Sequence, residues 1–215
     1  MLKYALCIFL AFAATTASAQ DVVVTTINAC LEAAPADQNL IERMERLGWS
    51  QIPNRDLGEG DFRAIAAIGL ADRMAYGRVP AVRWQSNWER SLETAAGHTR
   101  RVNVPDAVSL TFWLGRADSE NLLRTKFEKH PAFGRTQCDM STTEAISRSS
   151  LQPQIEFGVT PEMRPIIATR TQRFENDNAV QRVFIHLYHK EMIADLISDT
   201  FEFNGRVSVL THSKR

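Results

Sequence analysis

The chain has 215 residues, with 25 basic and 25 acidic side chains and 44% hydrophobic residues. That length is enough to bury a full hydrophobic core. The balanced charge supplies no field to gather polyanions, which argues against nucleic acid as a partner.

The chain opens MLKYALCIFLAFAATTASAQ. Lys3 provides a positive start, Tyr4 to Ala14 form a short apolar run, and Ala17-Ser18-Ala19 offers the small residues that a signal peptidase accepts. A cleaved signal peptide over residues 1–19 is therefore expected, with the cut between Ala19 and Gln20. A spanning helix needs roughly 20 apolar residues, and Thr15 and Thr16 end this run early. No membrane span is expected in the mature chain, which is placed in the periplasm or outside the cell. Residues 20–215 are expected to form a single α+β domain.

Cys7 leaves with the signal, so the mature chain keeps Cys30 and Cys138. An even number of cysteines in an exported protein points to a disulfide between them. A bridge closing a loop of about a hundred residues is worth roughly 4–5 kcal/mol in chain entropy. Catalytic dithiols sit close together as C-x-x-C, and neither cysteine has a histidine nearby to complete a zinc site.

In chain order, the β-branched run DVVVTTI, residues 21–27, suits a strand. Asp37 then caps a helix through QNLIERMER, whose Leu40, Ile41, Met44 and Leu47 share one face, and Gly48 ends it. Trp49 and Ile52 begin a strand. Asp61 caps a second helix, FRAIAAIGLADRMAYG, closed by Gly77. Pro80 opens a third that runs towards Ala96, with Ala81, Trp84, Trp88, Leu92 and Ala95 facing inward.

After Pro105 the hydrophobic period changes from 3.6 to 2. VSLTFWL (108–114) reads as a buried strand. LLRTKFE sets Leu123, Thr125 and Phe127 against Arg124, Lys126 and Glu128. RTQCDM sets Thr136, Cys138 and Met140 inward against Arg135, Gln137 and Asp139 outward. RPIIATRTQRF and AVQRVFIHLYH read as further strands. Asn204-Gly205, between TFEF and RVSV, reads as a hairpin turn. Helices first and strands afterwards predict an α+β fold, with N-terminal helices packed on a mainly antiparallel sheet formed largely by the C-terminal half.

No G-x-S-x-G elbow, phosphate-cradling glycine loop, H-E-x-x-H or EF-hand loop occurs. Three features are candidates for chemistry. His186, His189 and His212 are possible bases or metal ligands, but His186 and His189 would point to opposite faces of a strand. Asp56, Glu59 and Asp61 lie beside Gly58 and Gly60, yet the spacing fits no calcium motif. Arg83, Trp84 and Trp88 in RWQSNWER could contact a ligand or partner by stacking, although two tryptophans four apart on a helix also suit core packing. No metal or cofactor is expected. The leading expectation is an exported, non-catalytic protein that binds an envelope partner or small ligand. The alternative is a hydrolase-type enzyme whose histidine and carboxylate site is assembled by folding.

Overall fold

The structure, a computed structural model, describes residues 19–75, 81–103, 108–144, 146, 158–159, 166–175 and 179–213. The residues before Ala19, where a signal peptide is expected, together with Gly77 and Pro80, lie outside these. Among the described residues, five α-helices and an antiparallel sheet make an α+β fold, with helices mostly early and strands mostly late in the chain. The helices are α1 (Ala19–Leu31), α2 (Asn39–Arg46), α3 (Glu59–Ala75), α4 (Trp84–Ala96) and α5 (Lys190–Ile197). The six long strands are β2 (Ser109–Arg116), β3 (Ser119–His130), β4 (Phe133–Thr142), β6 (Ile166–Glu175), β7 (Ala179–Tyr188) and β8 (Gly205–Ser213). Short strands β1 (Ser50–Ile52) and β5 (Gly158–Val159) flank them, giving the order β1-β2-β3-β4-β8-β7-β6-β5.

One face of the sheet carries α1 and α2. Leu40, Ile41 and Met44 of α2 and Val23, Ile27 and Cys30 of α1 pack there against Leu123, Phe127, Met140, Val183, Ile185, Val207 and Val209. Cys30 and Cys138 are joined by a disulfide across a sequence separation of 108, which ties α1 to β4. The opposite face carries α3, α4 and α5, whose apolar sides meet Trp113, Leu122, Tyr188, Phe201 and Phe203.

Several sequence expectations change here. Residues 21–27 are the body of α1, not a strand. Val23, Thr26, Ile27 and Cys30 recur at helical steps and all are buried, so packing of that stripe overrides the β-branched preference. Helix α3 begins two residues before Asp61, and the Asp61 carboxylate reaches back to accept from the Gly58 N–H at 2.8 Å. Gln38 rather than Asp37 holds the N-cap position of α2, and the Asp37 carboxylate, one residue earlier, accepts from the Asn39 N–H at 3.1 Å. Gly48 follows with φ +86, a left-handed conformation that favours glycine.

No hairpin forms at Asn204-Gly205. Residues 201–204 are irregular and bury Phe201 and Phe203 against α3, α4 and α5, and β8 starts at Gly205. Strand β8 instead enters between β4 and β7. Gly205 is required there for clearance: a Cβ would lie 2.8 Å from the His186 carbonyl oxygen and 2.6 Å from Ile146 Cδ1. The outer part of β2 is protected differently. The Asn103 side chain donates to the Thr111 carbonyl at 2.6 Å and accepts from its N–H at 3.0 Å, so one amide stands in for a neighbouring strand.

Candidate functional site

The sheet face that carries α3 is polar along much of its length, which the alternation in β3 and β4 already suggests. Asp139 was expected to face solvent, but its carboxylate is fully buried. Helix α3 crosses β3, β4 and β8 and closes off that end of the face. The carboxylate accepts from Arg206 Nη2 at 2.8 Å, Arg124 Nε at 3.0 Å and Gln137 Nε2 at 2.9 Å. Burial alone would raise its pKa. The charges of Arg124 and Arg206, with a hydrogen bond from Ser208, outweigh burial and hold it well below the usual carboxylate range. His98 lies edge-on to Trp113 at 5.2 Å, close to this cluster. Burial, then the charges of Arg101 and Arg124, lower its pKa to about 4.

Among the described residues, the other end of the same face is open. The registers align Arg173, Arg182, Leu210, Gln137 and Lys126 in one row across β6, β7, β8, β4 and β3. The next row holds Glu175, Val180, His212, Arg135 and Glu128. Between them lies a depression of ≈ 680 Å³ with Phe133, Val180 and Leu210 as its apolar lining and Arg135, Arg173 and Arg182 around it.

Four cations and two carboxylates occupy these two rows. Glu128 is shared by Lys126 and Arg135, the latter at 3.4 Å, and Arg173 pairs with Glu175. Contact with Lys126, opposed by partial burial and helped by Arg135, lowers the pKa of Glu128. Arg182 stands directly opposite Arg173 and has no acidic partner among the described residues. The Arg135 Nε is buried without a hydrogen-bond partner among them. Like charges facing across a strand pair cost stability, so the fold tolerates an excess of positive charge here on a chain that is neutral overall.

The residues singled out from sequence fall in scattered places. His186 is 1% exposed within β7. His189 is exposed at the start of α5, where its Nδ1 accepts from the Met192 N–H at 3.3 Å. His212 is in the open depression, opposite Val180. Val180 is six positions from His186 along β7, about 20 Å at the usual strand rise, so the three imidazoles do not converge. Trp84 and Trp88 are buried, and Trp88 Nε1 donates to Asp199 Oδ2 at 2.8 Å, while Arg83 is exposed. Asp56 and Glu59 are solvated, and the described residues contain no group of three or more side chains suited to a metal.

Arg135, Arg173 and Arg182 were not identified as a group from sequence. Each outward arginine is visible in its own alternating run, but only the registers bring them together. No helix among the described residues is long and apolar enough to cross a membrane. The chain matches no protein-family description, no curated protein sequence and no solved structure.

Proposed function

We propose that this is an exported, non-catalytic binding protein of the periplasm or extracellular space, and that it engages a protein partner through the open end of its sheet. The observation that carries this reading is the arginine-rimmed depression, with its excess of cations over an apolar lining. Apolar area and exposed arginines are the usual ingredients of a partner contact. Export is supported by the signal-like opening of the chain and by the Cys30–Cys138 disulfide, a bond typical of oxidising compartments. The hydrolase alternative needs two histidines and a carboxylate within hydrogen-bonding reach of each other. The separation of His186, His189 and His212 favours the binding reading over it.

Site-specific photo-cross-linking in exporting cells tests the proposal. A benzoylphenylalanine at Leu210 should yield one discrete cross-linked species, and the same group at the exposed Glu42 on the far face should not. Absence of any adduct from Leu210, or an equal pattern from both sites, would remove the reading.

A further inference from the structure

Resting on that reading, we infer that the partner presents an acidic segment, with carboxylates that pair with Arg182 and Arg135 and apolar side chains that cover Phe133 and Leu210. Three observations point the same way. Arg173 and Arg182 face each other across β6 and β7, an arrangement that an incoming anion relieves. Arg173 already has Glu175 beside it, whereas Arg182 has no carboxylate among the described residues. Arg135 donates Nη2 to Gln137 Oε1 at 2.9 Å and shares Glu128 with Lys126, so the one carboxylate beside it is divided between two cations while 35% of its side chain stays exposed. A guanidinium binds a carboxylate through parallel N–H donors, which gives direction as well as charge.

The shape selects a protein segment over a small organic acid. Small-molecule sites enclose most of their ligand. Here the rim is solvent-exposed, with 58% of the Arg173 side chain accessible. The lining is apolar at Phe133, Val180 and Leu210, so carboxylates alone would leave that area wet. A segment that alternates acidic and apolar side chains satisfies both.

The test uses the full, oxidised protein and a fluorescein-labelled peptide of alternating glutamate and valine, with a lysine–valine peptide as control. Anisotropy should show binding of the acidic peptide alone, weakening as salt is raised. Arg182→Glu should reduce its affinity about tenfold or more. Arg182→Gln should leave the thermal midpoint unchanged or raise it, because it removes a like-charge contact, and this separates lost recognition from lost folding. The inference is overturned by an acidic peptide that fails to bind, or by one that binds Arg182→Glu equally well. It is also overturned if inorganic phosphate or phosphatidylglycerol vesicles bind with the same dependence on Arg182, since the face would then recognise anions in general. The cross-link from Leu210 separates the two proposals. An adduct that persists in Arg182→Glu, or that has the mass of two copies of this chain, removes the acidic partner and keeps the docking face. No adduct at all removes the docking face itself.

Discussion

Arg206 Nη2 donates to Asp139 Oδ1 at 2.8 Å, with 3% of one side chain and none of the other exposed to solvent. With Arg124 on the second carboxylate oxygen, a single buried anion is shared by two guanidinium groups. Breaking such an arrangement from one side leaves uncompensated charge in the interior, at a cost of about 3–5 kcal/mol. Asp139→Asn should lose that much in urea unfolding at neutral pH. The acid limb supplies a second reading. The Asp139 pKa is lowered on folding, so its contribution is complete above the unfolded value of about 3.9 and is lost as pH falls through the folded one. The gap between wild type and variant should therefore narrow below about pH 5. A gap that stays constant down to strongly acid conditions would mean that the ion pair is not the source.

His98 predicts a separate pH effect in a higher window. Its folded pKa of about 4 lies below the ordinary 6.5, so the unfolded chain binds the proton first. Stability from this site is complete above about pH 6.5 and declines as pH falls towards 4. Replacing His98 with phenylalanine should flatten the stability profile over that interval. Observation of the imidazole resonances by NMR should show one histidine that stays neutral until about pH 4; titration of every histidine near 6.5 would contradict the burial described.

The Cys30–Cys138 bridge closes a long loop, and constraining the unfolded chain in this way is worth roughly 4–5 kcal/mol. The double replacement with alanine should lower the denaturant midpoint accordingly. Each cysteine is also buried, so some of the loss will come from packing. Comparing the double variant with the reduced wild type separates the two contributions. If reduction leaves the midpoint unchanged, the bridge is not a stability element.

Gly205→Ala should destabilise by about 1–3 kcal/mol, because the added carbon meets a backbone carbonyl that cannot rotate away. Gly97→Ala is the matched control, since a Cβ there meets nothing within 4 Å. That variant should be neutral or gain about 0.4–1 kcal/mol by restricting the unfolded chain. Thermal unfolding of the pair distinguishes a clearance requirement at residue 205 from a general glycine effect.

The fold class was legible because each region repeats one period clearly. Leu40, Ile41 and Met44 mark one helical face, and Leu123, Thr125 and Phe127 mark one strand face, and all are buried as expected. The disulfide was legible because only two of the three cysteines remain once the expected signal segment is set aside. The failures share a cause. In β4, Arg135, Gln137 and Asp139 alternate identically, and nothing local tells which end of the strand α3 covers. In α1, the β-branched run carries a strand preference, and only contact with the sheet shows that its helical stripe prevails. Asn204-Gly205 is a strong turn signal, but Phe201 and Phe203 gain more from the core beneath α3 and α4 than from pairing with β8. The candidate site was the least legible part. Arg173 and Arg182 become neighbours through the pairing of β6 with β7, and Arg135 joins them only because β8 lies between β7 and β4.

That placement of β8 also governs the order in which the protein can be made. Strands β2, β3 and β4 can assemble as they are synthesised, and so can β6 with β7, but the two groups have no shared ladder until residues 205–213 exist. Until then β4 and β7 each present an unpaired edge, the kind of surface that recruits other chains. Closure comes late and joins segments far apart in sequence, which slows folding. A chain that stops before Gly205 would therefore hold two half-sheets with adhesive borders, and only residues 205–213 turn them into one sheet.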